Sequence, residues 1–442
     1  MIVLSLRSLF HNIRSNFLYV PSLYGLGACL LAVLSVYIDS RFLPQAAPVW
    51  IPSPLFIPLE LSRTILGAIS AALLTMTTIT FSTILVVLTT YLSEFSPRTL
   101  QNFISDAKTQ RVLAFFTAGI IYSLLLLLFL RGGEEAVFLS PSLAVFFAII
   151  CVFMFVFFIH HVSSWIQVSS LLHYITKDTL EKIEKELPDL PSWAPVVPWE
   201  DWESEDIKTI SPSPVRSADS GYIQHIDTKG IIRRASRDDC IVRINAEVSD
   251  YIEQGAPFLS VWEQGKKIRS AHYRPFVTLG AEKSSSDTIE LALIKIVEIA
   301  LRALSPGIND PNTAVACIKN LGKILARLGR KQLPRTFHYD ASGDLRLIMK
   351  QPAFSDYLYT SFHQIRQYGF QDLAVLSAAL DAFILMADVN ADEVKSIIWE
   401  FTEYVMEGLQ REDLLTLDRK HLNHKLRTLA SICGRRHQFQ PL

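Results

Sequence analysis

Apolar residues in the first third of the chain fall into four long runs, at 17–38, 64–92, 112–130 and 137–159, and none of these runs contains Lys, Arg, Asp or Glu. Crossing roughly 30 Å of hydrocarbon takes about 20 helical residues, because lipid offers backbone N–H and C=O groups no partner outside the helix itself. The pattern predicts four transmembrane helices. The run at 64–92 is the longest and has length to spare for tilting or for projecting from the bilayer. Beyond it, segment 160–187 carries Ile166, Leu171, Leu172, Ile175, Leu180 and Ile183 on one helical face and Lys177, Asp178, Glu181 and Lys182 on the rest. It is expected to be an amphipathic connecting helix that buries its stripe against a domain or a sister subunit.

The periodicity then breaks up. Segment 188–214 holds six prolines together with Trp193, Trp199 and Trp202 and reads as an extended connector. Between 215 and 280, alternating stretches at 221–227 and 240–244, followed by a Gly255-Ala256-Pro257 turn, predict a small β module. It resembles the barrel of biotinyl and lipoyl carrier domains. Those carriers modify a lysine at a hairpin tip, and Lys229 before Gly230 lacks their usual neighbours. No covalent cofactor is expected, and an adaptor role is. Segment 281–442 predicts a mainly helical α+β domain. One helix covers 287–304, a second starts behind Asp310-Pro311, a hairpin turns at Ser342-Gly343-Asp344, and helices follow to the end. The fold class expected is a mainly α membrane protein: a four-helix transmembrane region, then an α+β cytoplasmic region with a barrel-like module and a helical C-terminal part.

Charge sets the orientation. Arg7 and Arg14 precede the first run, and Arg98, Lys108 and Arg111 lie between the second and third, against Arg41, Arg63 and Arg131 on the opposite side. Positive-inside bias places the 1–16 segment in the cytoplasm, and four crossings return the C-terminal region there. The first run is too long for a signal peptide's apolar core and no small-residue cleavage site follows, so it is read as a retained span. The apolar, proline-punctuated stretch around Val49–Pro58 is expected to rest on the interface or pack on the bundle. Net charge is −1 over 442 residues, which leaves no electrostatic footprint for nucleic acid. The five cysteines, Cys29, Cys151, Cys240, Cys317 and Cys433, show no paired spacing, so neither a disulfide framework nor a metal site is expected.

Three groups of residues invite a functional reading. In the second run Gly67, Ala71, Thr75, Thr78, Ser82 and Thr89 recur at intervals of three, four and seven, placing small and hydroxylated residues on one stripe. Such a stripe either packs helices or lines a water-filled path in an oligomer. His160 and His161, with Arg98, mark the membrane–cytoplasm interface, as anchors or as titrating or metal-binding imidazoles; adjacent helical residues point about 100° apart and do not chelate together. Ser305, Asn309 and Asp310, in Ser305-Pro306-Gly307-Ile308-Asn309-Asp310-Pro311, form a ligand loop at a helix N-terminus or a plain helix connector. Asp356, His363, Arg366 and Tyr368 are accompanied by no catalytic motif.

Four motifs together identify a resemblance: Phe95-Ser96-Pro97-Arg98-Thr99-Leu100; His160-His161 with Ser164 and Ile166-Gln167; Ser220-Gly221-Tyr222-Ile223-Gln224; and Ala303-Leu304-Ser305-Pro306-Gly307-Ile308-Asn309-Asp310-Pro311. They resemble the DUF2254 family of bacterial membrane proteins. The resemblance implies a four-span half and a soluble C-terminal half in a bacterial inner membrane, and supplies no catalytic residues. Three functions compete: a homo-oligomeric channel or transport-related protein gated by its cytoplasmic domain, a membrane-anchored sensor or scaffold using the 305–311 loop, and a membrane enzyme acting on lipid or envelope precursors. The last ranks lowest for want of a nucleophile or metal cluster.

Overall fold

The computed structural model describes residues 19–42, 55–94, 106–131, 137–165, 167–190, 211–263, 269–281, 288–409, 412 and 414–442. Arg98 and its motif, the 1–16 segment and most of the 188–214 connector lie outside these residues. The chain divides into two compact units, Met1–Leu172 and His173–Leu442.

In the first unit, α1 (Tyr19–Phe42), α2 (Leu59–Glu94), α3 (Ala107–Phe129) and α4 (Ser140–Trp165) are long and apolar enough to cross a membrane. The shortest has 23 residues, about 35 Å at 1.5 Å per residue, which exceeds the hydrocarbon thickness. Of the four, α3 is the most buried. Small residues let its neighbours close on it: a Cβ on Gly25 of α1 would stand 3.1 Å from Ile121, and one on Gly119 would stand 2.9 Å from Leu73 of α2. Ala28, Ala32, Leu66, Tyr122, Leu126 and Ala144 form the core between the helices. A short antiparallel pair, β1 (Ile57–Pro58) and β2 (Val137–Phe138), ties together the lead-ins to α2 and α4. The outward faces stay apolar and exposed, as at Leu30, Leu85 and Phe153.

Gln167 stands between α4 and a shorter amphipathic helix, α5 (Val168–Glu186), most of which belongs to the second unit. There Ile175, Thr179 and Ile183 are buried and Thr176 donates to Asn320 at 3.1 Å. Glu184 pairs with Arg327 and, at 2.8 Å, with Lys331, which hold its carboxyl down to about 2. These polar pairs join the second-unit part of the helix to residues 320–331 of its own chain.

The β region departs from the barrel expected at 215–280. Its strands are β3 (Ser213–Arg216), β4 (Gly221–Ile226), β5 (Cys240–Ile244), β6 (Tyr251–Ile252), β7 (Pro257–Glu263) and β8 (Val277–Gly280). Between β4 and β5 the chain forms a helix, α6 (Thr228–Asp238), rather than a hairpin: Asp227 caps it by accepting from the Gly230 amide at 2.9 Å, and Asp239 ends it in a left-handed conformation. Lys229 therefore lies in a helical first turn. After α7 (Ile289–Ala303) and α8 (Pro311–Leu328), the hairpin β9 (Phe337–Tyr339) and β10 (Leu345–Met349) joins the earlier strands. One sheet runs β3-β7-β5-β10-β9, with β10 parallel to β5 and the other pairs antiparallel; a second runs β6-β4-β8. Among the described residues neither closes on itself. Both bury side chains in one core with α6, including Ile223, Ile231, Val242, Val261 and Leu347.

The remaining helices are α9 (Phe354–Gly369), α10 (Leu373–Val389), α11 (Asp392–Glu407) and α12 (Thr416–Ile432). Of these, α9 packs against α7 and α10 against α8, while α11 packs on α9 and α10 and α12 on α10; Leu325, Leu358, Leu380 and Ile398 are buried, and the ring of Phe383 meets those of Phe362 and Phe401 edge to face.

Candidate functional site

Along α2, Ser62, Leu66, Leu73, Thr80, Ile84 and Val87 are buried and define the side turned to the bundle. At 100° per residue, Gly67, Ala71, Thr75, Thr78, Ser82 and Thr89 cluster on the opposite side. All are exposed except Gly67, which is half-buried with open space where a Cβ would stand. The structure thus brings these residues into one column on the bundle's outer surface. The hydroxyls of Thr75 and Thr78 donate to the carbonyls of Ala71 and Leu74, each at 2.9 Å, and Thr89 donates to Val86 at 2.7 Å. With their hydrogens committed to the helix, these three hydroxyls turn lone pairs outward.

At the end of the bundle where α3 begins and α4 finishes, the two histidines have opposite surroundings. His160 is exposed. His161 is buried, stacks on Phe157 at 5.8 Å, and brings Nε2 within 2.9 Å of Asp106 Oδ2. Asp106 also caps α3, accepting from the Thr109 amide and hydroxyl, each at 2.9 Å. One carboxylate thereby joins the start of one long helix to the end of another. The 100° step between neighbouring helical positions explains why only one histidine reaches it. Asp106 was overlooked in the sequence, although Asp followed three residues on by Thr at the edge of an apolar run is an N-cap signal.

The opposite end holds a second overlooked carboxylate. Reading the first run as closing at Ile38 omitted Asp39, yet α1 continues to Phe42 and Asp39 is 5% exposed. Its two oxygens accept from the amides of Leu139 and Ser140, at 3.2 and 3.1 Å, across the N-terminus of α4. Beside it, Tyr122, on α3, is within reach of Ser35 Oγ at 3.2 Å and the Ser140 carbonyl at 3.4 Å. Nothing local in the sequence signals this cluster, because its partners come from three helices.

In the second unit, Ser305, Asn309 and Asp310 lie in one tight turn between α7 and α8. Ser305 Oγ donates to the Arg302 carbonyl at 2.7 Å, and its own carbonyl accepts from the Asn309 amide at 2.9 Å. Asn309 is exposed with a left-handed backbone (φ 48°). Asp310 accepts from the Thr313 hydroxyl at 2.6 Å and amide at 3.2 Å, and these bonds lower its carboxyl below the usual range. The turn's polar groups thus do the work of ending one helix and starting the next.

A family model described as predicted membrane protein (DUF2254) matches residues 14–384. The uncharacterized protein Rv1290c of Mycobacterium tuberculosis is 27% identical over 368 residues, covering 79% of this chain and 68% of its own. The uncharacterized protein Mb1321c of Mycobacterium bovis matches to the same extent. No solved structure matches.

Proposed function

Because the chain belongs to the DUF2254 family of predicted membrane proteins, we propose that it is a multi-pass bacterial inner-membrane protein that assembles as a homo-oligomer and conducts small polar species along its second helix. Both termini and the soluble unit lie in the cytoplasm, where that unit regulates the path. The observation that carries this reading is the column on α2 facing away from its own bundle, with Thr75, Thr78, Ser82 and Thr89 exposed. Toward lipid, hydroxyl oxygens gain nothing. Against the same column of another copy, small residues allow close approach and the hydroxyls meet one another or water. Since the hydrogens of Thr75 and Thr78 are already donated to helix carbonyls, the column offers acceptor oxygens, which suits water and cations rather than anions.

The alternative, a membrane-anchored sensor or scaffold, draws on the 305–311 loop. There Ser305 and Asp310 are already bonded within the turn, which leaves Asn309 as the contact and makes this the weaker reading.

The test is the mass of the detergent-purified protein by native mass spectrometry, followed by cation flux in liposomes for wild type and a Thr78→Leu/Ser82→Leu variant. A closed oligomer whose flux drops about tenfold or more in the variant is the expected result. A monomer, or an oligomer whose flux the variant leaves untouched, rejects the path along α2.

A further inference from the structure

The buried carboxylate at the end of α1 adjoins a cavity of about 320 Å³ that Ser140, Leu143, Phe146, Ile38 and Leu55 help to line. Asp39 occupies the last turn of its own helix, where the macrodipole disfavours an anion. The N-terminus of α4 compensates in part, through the two amides Asp39 accepts from. Each carboxylate oxygen accepts one such bond and keeps a lone pair for another. Among the described residues no Lys, Arg or His pairs with Asp39. A carboxylate so enclosed is ordinarily matched by a cation.

A second, independent observation is Ser140. The residue is among those lining the same cavity, it is 2% exposed, and its Oγ is buried without a hydrogen-bond partner. A buried hydroxyl left unmatched costs about 1–3 kcal/mol, so the site lacks a polar atom there. The rest of the wall is apolar apart from Ser35 and Ser142, whose hydroxyls donate to the Ala32 and Leu55 carbonyls, and Ile38, Leu55 and Phe146 are 39%, 41% and 57% exposed, so the cavity opens among side chains that face the surroundings of the bundle. One corner thus wants positive charge and a hydrogen-bond partner, and the mouth wants hydrocarbon.

We propose that this cavity binds the ammonium group of an aliphatic amine, held by the Asp39 carboxylate and the Ser140 hydroxyl, with the alkyl chain leaving past Leu143 and Phe146. The ammonium donates one hydrogen to the free lone pair of Asp39 and one to Ser140 Oγ. Its third is left to a water molecule, for which a cavity of about 320 Å³ has room. A lipid with a primary-amine headgroup and a free long-chain amine share this chemistry. The site is formed by one chain alone and does not depend on the oligomer proposed above.

The test is thermal unfolding of the full-length protein in nanodiscs of phosphatidylcholine, titrated with dodecylamine and, separately, with dodecanol, which shares the chain but not the charge. Dodecylamine is expected to raise the midpoint by several degrees and saturably, and dodecanol is not. Asp39→Asn retains an acceptor for one of the two amides but loses the charge, and should weaken the amine about tenfold or more. Leu143→Phe, which fills the cavity and leaves Asp39 in place, should abolish saturation in a protein that still folds. Nanodiscs containing phosphatidylethanolamine separate the sources: competition with dodecylamine assigns the site to a lipid headgroup, and its absence assigns it to a free amine. Equal response to amine and alcohol, or an Asp39→Asn protein that binds the amine as wild type does, overturns the proposal and leaves a water-filled crevice beside a helix cap.

Discussion

In the second unit Arg346 is anchored three ways, donating from Nε to Asp340 at 2.7 Å, from Nη1 to Asp239 at 2.8 Å and from Nη2 to Asp344 at 3.0 Å. Asp340 collects further donors from Ser236 Oγ and from the amides of Ser342 and Asp344. The guanidinium first, then these donors, hold its carboxyl down to about 2, from an ordinary 3.8. A carboxyl depressed on folding stabilises the fold above its unfolded pKa, and that contribution fades as pH falls through the folded value. Amide-exchange protection of the Phe337–Met349 hairpin should therefore hold down to about pH 4 and decline toward about pH 2. In Asp340→Asn it should be lower at neutral pH and lose its slope across that window. A wild-type hairpin equally protected at both ends would contradict the assignment. Residues of this kind were legible only where their partners were close in sequence. Asp310 before Pro311 announces a helix start. Asp39 does not announce its role, because the amides it caps belong to residues a hundred positions away.

Elements were read with corresponding unevenness. Long apolar runs gave four helices, and the 3.6-residue periodicity of Leu293, Ile296, Val297 and Ala300 placed α7. The β module was misjudged because alternation reports which face of a strand is buried and says nothing about its partner. The segment after β4 also becomes α6, and β10, more than a hundred residues downstream of β5, pairs with it in parallel. Close helix crossings were likewise invisible. At Gly322 on α8, a Cβ would stand 2.8 Å from the Cβ and 3.2 Å from the Cα of Ala382 on α10. Gly322→Ala gains about 1 kcal/mol of helix propensity, yet must push two helices apart in a packed core. The account predicts a net destabilisation of up to about 2 kcal/mol by denaturant titration. A stabilised variant would mean the two helices yield at no cost.

At the scale of the molecule, the sequence conveyed the division into an apolar N-terminal third and a remainder with evenly spread charge, since the two parts differ in composition. It also marked the small-residue column on α2, though not which way that column faces, because direction depends on how α2 docks on α3 and α4. Placed opposite the buried Leu66, Leu73 and Thr80, the column becomes the surface on which the oligomer proposal rests. The most direct measurement is oxidative cross-linking in native membranes of Thr78→Cys, in a background with Cys29 and Cys433 replaced by serine. The control is Phe153→Cys, an outward position on α4 that is 71% exposed. A covalent dimer formed through residue 78 and not through residue 153 is the result predicted. Failure to cross-link at 78, or equal cross-linking at both positions, would contradict it and leave the α2 column facing lipid.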